Sequence, residues 1–203
     1  VKSLKNAGLK HCYISFNGGT NDEYYKALDG AEYAKQKIEA VKNVLSLDMY
    51  LSLGVIISKG INEDAIKNVI DFAVANKGKY YTIRFKTVGA IGRYQKGEQY
   101  TQKEFIELLS NQLKDYGVTQ EHIYKWQKKD PEGFDLSFSF PVVPLEPKSN
   151  IKIRGGIWVK FPYWGEVGNK GIVFDNQDNK GRVTKDFKIA PFFEHIKANE
   201  FNY

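Results

Sequence analysis

Two hydrophobic rhythms alternate along the first half of this chain. The run at residues 50–58 (YLSLGVIIS) is nearly continuous in apolar residues, as in strands covered on both faces of a parallel sheet. Runs of β-branched and aromatic residues at 10–17 (KHCYISFN) and 80–86 (YYTIRFK) predict strands before and after it. Between strands the spacing becomes helical. Ala34, Ile38, Val41 and Leu45 recur on one face of 31–45, while Lys35, Lys37, Glu39 and Lys42 point elsewhere. Asn21, Asp22 and Glu23 supply helix-start chemistry ahead of it. Ile66, Val69, Ile70 and Ala73 form the inward stripe of a helix over 63–76, with Asn62 as its predicted N-cap and Lys77-Gly78 closing it. Thr101–Glu104 reads as a capping box opening a helix to about Tyr116. Its inward residues are Phe105, Leu108, Leu109, Leu113 and Tyr116, and Gly117 follows its end.

Strand followed by helix, three times over, predicts an α/β fold with a parallel sheet. In such folds ligands bind at the carboxyl edge of the strands. Beyond Gly117 the pattern changes. Pro131, Pro141, Pro144 and Pro147 interrupt the chain, and strand-like runs appear at 135–143, 150–161 and 171–174. Pro191 is placed to begin a short closing helix to about Asn199. The expected division is therefore 1–117, three strand–helix units, and 118–203, a strand-rich C-terminal extension with a short final helix.

Composition narrows the class. With 42% hydrophobic and 14% aromatic residues the chain can build a packed core. No apolar run reaches the length needed to cross a bilayer, so no membrane association and a cytoplasmic location are the expectation. The single cysteine, Cys12, excludes an internal disulfide. Thirty basic against 24 acidic residues give a formal charge of +6, too small an excess to imply nucleic-acid binding without clustering. A first residue of Val, with a repeating unit already under way by residue 7, reads as a piece of a longer protein. Exposed sheet edges would make such a piece prone to dimerise.

Several residues carry candidate chemistry. Ser15 and Asn17 lie at the carboxyl end of the first strand, as ligand contacts or as ordinary strand-to-turn residues. Ser58, Lys59 and Asn62 follow the second strand. On the third, alternation puts Arg84 and Lys86 on one face and Phe85 and Thr87 on the other. Two cations directed into a barrel are costly unless they meet a carboxylate or phosphate; solvation at a strand end is the alternative. His11, His122 and His195 lack partners at metal-ligand spacing, so no metal site is expected. The stretch Gly89–Gly92 lacks the lysine of a phosphate loop. Residues 151–161 (IKIRGGIWVKF) could stack nucleic-acid bases, although a strand with one packed face has the same composition.

Residues 3–95 resemble the later barrel half of the radical S-adenosylmethionine superfamily. AGLKHCYISFNG is similar to the fourth strand of that family, SLGVIISKGINEDAIKNVIDFA to the fifth strand and its helix, and IRFKTVGAIGRY to the sixth strand with its Gly-Arg turn. The resemblance implies a parallel-stranded partial (β/α) barrel fragment and an enzyme acting on an unknown small-molecule or peptide substrate. It implies S-adenosylmethionine and a 4Fe-4S cluster in the complete protein, generating a 5′-deoxyadenosyl radical for hydrogen abstraction. It also implies cofactor contacts at Ser15, Asn17, Ser58, Asn62, Lys86, Thr87 and Val88. Arg84 would have a substrate or structural role and Arg93 that of a structural clamp. The family's C-x3-C-x2-C loop is absent, and Cys12 cannot hold a cluster, so no cofactor is expected on this chain alone. The alternative is a non-catalytic degenerate barrel that binds nucleic acid or a protein.

Overall fold

The computed structural model describes residues 1–76, 78–88, 100–126, 137–143, 157–162, 182–183 and 189–190. After a short helix α1 (Lys2–Asn6), strand β1 (His11–Ser15) enters the sheet and is followed by helices α2 (Asp22–Asp29) and α3 (Ala34–Ser46). Strand β2 (Tyr50–Ile57), helix α4 (Ala65–Ala75) and strand β3 (Tyr80–Thr87) follow in turn. Helix α5 (Gln102–Gln112), a 3-10 turn (Lys114–Tyr116) and helix α6 (Gln120–Lys125) lead to strands β4 (Ser137–Val143) and β5 (Ile157–Pro162). Two-residue strands β6 (Arg182–Val183) and β7 (Ile189–Ala190) pair antiparallel with each other.

The main sheet has the order β1-β2-β3-β5-β4. β1, β2 and β3 are parallel neighbours, so the predicted order and direction of the three strands hold. β5 pairs parallel to β3, and β4 closes that side antiparallel to β5. Two strands from the C-terminal stretch therefore extend the same sheet. One face of it is packed: Leu51, Leu53, Val55, Ile57, Ile83 and Phe85 are wholly buried against the stripes of α4 and α5, including Ile66, Val69, Ile70, Phe105 and Leu109. The other face is open at Tyr13 and Ile56, exposed by 52% and 40%, so β2 is not covered equally on both sides.

Several boundaries move for local reasons. The first strand ends at Ser15 rather than Asn17, because Phe16 N–H takes the last ladder bond to the Gly54 carbonyl and the chain then turns. Asn21 caps α2, as its position predicts, by accepting the Glu23 N–H. Gly30, at φ +82°, ends α2 and separates it from α3. The helix expected from 31 begins at Ala34, whose N–H is satisfied by the Asp22 carboxylate at 2.8 Å. The capping box is present in full, with Thr101 and Glu104 reciprocally bonded. α6 was not legible as a helix: it has six residues and one buried anchor, Ile123, too few to set up a period, and its signal is the Thr119 cap on His122 N–H. The strand expected at 171–174, the helix at 191–199, Lys77 and Arg93 lie outside the described residues.

Candidate functional site at the carboxyl edge of the parallel strands

Asparagine side chains build the carboxyl edge of β1 and β2. Asn62 is wholly buried; its Oδ1 accepts the Ser58 N–H at 2.8 Å, and its Nδ2 donates to the carbonyls of Ile56 at 2.8 Å and Asn17 at 3.0 Å. Asn17 reciprocates. Its Oδ1 accepts the Ile56 N–H at 3.0 Å and its Nδ2 donates to Asp29 at 2.9 Å. The two amides thus extend the β1–β2 ladder past the point where β1 turns away. This corrects the expectation for Asn62 as helix cap: Asp64 occupies the N-cap position of α4, and the Asn62 amide is already committed to backbone. The same commitment spends both N–H donors of the Asn62 amide on backbone carbonyls, against the cofactor contact that the resemblance implies there, while the Asn17 amide uses one donor and its oxygen within the protein.

The loop between the strands is tied down as closely. Gly19 has φ +58°, and a Cβ there would overlap the Asn68 Oδ1, which accepts the Thr20 N–H at 2.8 Å. Glycine is required on both counts. Tyr25 is buried beneath this turn, and its hydroxyl donates to the Gly19 carbonyl at 3.2 Å.

A second brace joins the turn after β2 to the start of α5. Glu63 accepts the Gly60 N–H and the Tyr100 hydroxyl, the latter at 2.7 Å, while Lys59 pairs with Glu104 at 3.2 Å and lies over the Tyr100 ring. Burial alone would raise the Glu63 carboxyl, but the Gly60 amide and Tyr100 hydroxyl outweigh it and hold the group below its ordinary value. A carboxyl lowered on folding contributes stability above its unfolded pKa of about 4.3 and loses it as pH falls through the folded value. Glu63→Gln is therefore expected to destabilise the chain at pH 6 and to cost progressively less towards pH 3. Urea titrations across that range test this; a difference independent of pH would contradict the brace.

The open face follows from register. β1 contributes His11, Tyr13 and Ser15, β2 contributes Ser52, Gly54 and Ile56, and β3 contributes Thr82, Arg84 and Lys86. His11 Nε2 lies 2.8 Å from Ser52 Oγ, which lies 3.3 Å from Thr82 Oγ1, a polar row across all three strands. No carboxylate stands at these strand positions, whereas two cations do. Among the expected site residues, Ser15 is exposed, and Arg84 and Lys86 are half-buried on this same face. Ser58 is buried at 8% exposure at the β2 end. Thr87 pairs with Ile57 on the helix-covered face, and the Val88 N–H is used by the Ile57 carbonyl at 3.2 Å. Thr87 is thus turned away from the open face, and the Val88 amide is committed to the sheet. Tyr13 and Gly54 were missed, although alternation from Ser15 and an isolated strand glycine both signalled them.

Cys12 is half-buried and packs against the core, and among the described residues no group of three His, Cys, Asp or Glu side chains could hold a metal ion. The residues present do not fit an iron–sulfur cluster. The open face presents the Ser15 hydroxyl on β1 and, across β2 from it, the Arg84 and Lys86 cations of β3. Among the described residues no helix is long and apolar enough to cross a membrane.

No family model matches the chain. It is 28% identical over 151 residues to the GTP 3',8-cyclase of Campylobacter jejuni subsp. doylei, covering 74% of this chain and 44% of that protein. It is 25% identical over 118 residues to the GTP 3',8-cyclase of Helicobacter pylori, covering 58% of this chain and 36% of that protein. The chain thus spans less than half the length of these curated relatives. The 151-residue match is longer than the stretch 3–95 that carries the resemblance.

Proposed function

We propose that the chain is the later (β/α) part of a radical S-adenosylmethionine enzyme, and that the carboxyl edge of β1–β3 is its contact with that cofactor. The observation that supports this most is the sequential parallel order β1-β2-β3, with Ser15, Arg84 and Lys86 on one open face. The similarity to proteins named GTP 3',8-cyclase, themselves radical S-adenosylmethionine enzymes, supports the same class.

In this reading Ser15 hydrogen-bonds a ribose hydroxyl, and Ser58 borders the same edge. Lys86 offers its charge to the methionyl carboxylate. The asparagine brace does not touch the cofactor; it fixes the spacing of the two strand ends that do. Bound in the complete protein, S-adenosylmethionine would supply radical chemistry: one electron from the iron–sulfur centre would break its C5′–S bond, releasing methionine and leaving a 5′-deoxyadenosyl radical able to take a substrate hydrogen atom. The iron–sulfur centre that the class requires would come from outside this chain, whose single cysteine cannot hold it.

The test is anaerobic purification of the full-length gene product, followed by iron and sulfide analysis and assay for 5′-deoxyadenosine after reduction. Cofactor cleavage is expected, and Ser15→Ala should raise the KM for S-adenosylmethionine about tenfold, the loss of roughly one hydrogen bond. A protein without iron or cofactor cleavage would overturn the proposal. Salt-sensitive RNA or DNA binding by such a protein would favour a binding module instead.

A further inference from the structure

The centre of the open face is occupied by a tyrosine resting on a glycine. Gly54 pairs with Ser15 on one side and Arg84 on the other, midway along β2. A Cβ on Gly54 would overlap the Tyr13 hydroxyl and the end of its ring, so the side chain leans along the sheet onto β2. Only glycine admits it. Tyr13 is nonetheless 52% exposed. One strand beyond Gly54, about 4.8 Å from it in backbone spacing, Arg84 has its Nε buried and unpartnered among the described residues.

A buried guanidinium N–H without an acceptor costs free energy that an oxyanion would recover. Two donors thus flank Gly54 of β2, one from β1 and one from β3, at strand positions that among the described residues carry cations and no carboxylate. We infer that Tyr13, held over Gly54, and Arg84 form a subsite for an anionic oxygen of the substrate, a phosphate or a carboxylate. The inference deepens the proposed reading of this face, assigning it an anionic substrate.

The test uses the full-length protein without reductant, following the Arg84 Nε–H signal by NMR while inorganic phosphate or malonate is added in separate titrations. Saturable movement of that signal is expected, and the anion that binds more tightly identifies the substrate group. Tyr13→Phe should weaken binding about tenfold. Gly54→Ala, which keeps the hydroxyl but displaces it, should weaken it comparably, and Arg84→Gln, read by isothermal titration calorimetry because the reporter signal is then gone, should abolish it. Melting temperatures within a few degrees of the parent protein would show that the variants fold. No saturable shift with either anion, or equal binding by the parent, Tyr13→Phe and Gly54→Ala, would overturn the subsite. Because this titration needs neither iron nor cofactor cleavage, its failure leaves the radical S-adenosylmethionine reading standing, and failure of that reading leaves the titration interpretable.

Discussion

Asn62→Ala is expected to destabilise the protein by about 3 kcal/mol, because it deletes three buried hydrogen bonds at once and leaves the Ser58 N–H without an acceptor. The residue is 0% exposed, so water cannot reach the orphaned groups without opening the β1–β2 edge. Asn62→Asp distinguishes the roles of the two amide atoms. Its carboxylate still accepts the Ser58 N–H but cannot donate to the carbonyls of Asn17 and Ile56. Two carbonyl oxygens would then face a buried negative charge, and the loss should match or exceed that of alanine. Urea denaturation with an unchanged m-value measures both. A loss below about 0.5 kcal/mol for Asn62→Ala, the level of an ordinary surface change, would show that the brace does not hold the edge.

Val55→Asp should be larger still. Val55 is wholly buried on the helix-covered face, paired with Phe85 and enclosed by the hydrophobic core. Among the described residues the core around it is hydrophobic, so a lone carboxylate there would be buried without a cation, and the cost, more than about 4 kcal/mol, approaches the whole stability of a typical domain. Loss of the cooperative thermal transition is the expected result. A normal melt would mean that this stretch of β2 does not face the core.

What the sequence made legible was whatever repeats. The stripe of α4 and the alternation along β3 come from periods set by backbone geometry and placed their residues on the correct face, whereas the stripes of α3 and α5 left out the buried Val44 and Ile106. The capping box was legible because its two partners lie three residues apart. The asparagine brace was not, because its chemistry depends on residues 45 apart in the chain, Asn17 and Asn62, meeting across two strand ends. Local statistics assign Asn62 to a helix cap; tertiary structure uses the same amide to replace a missing ladder. The Tyr13–Gly54 contact was half legible. A lone glycine in an apolar strand announces a close approach, but which side chain approaches depends on the register of β1 against β2. The split between α2 and α3 at Gly30 hides for a different reason, since Asp22 caps α3 from another helix.

The central claim is that the carboxyl ends of β1, β2 and β3 form one cofactor-binding edge. Hydrogen–deuterium exchange on the full-length protein, with and without S-adenosylmethionine, tests it most directly. Slower exchange is predicted at residues 15–20, 56–62 and 86–88 together, with the amino ends of the same strands unchanged. Protection confined to other parts of the protein, or none at saturating cofactor, would contradict it.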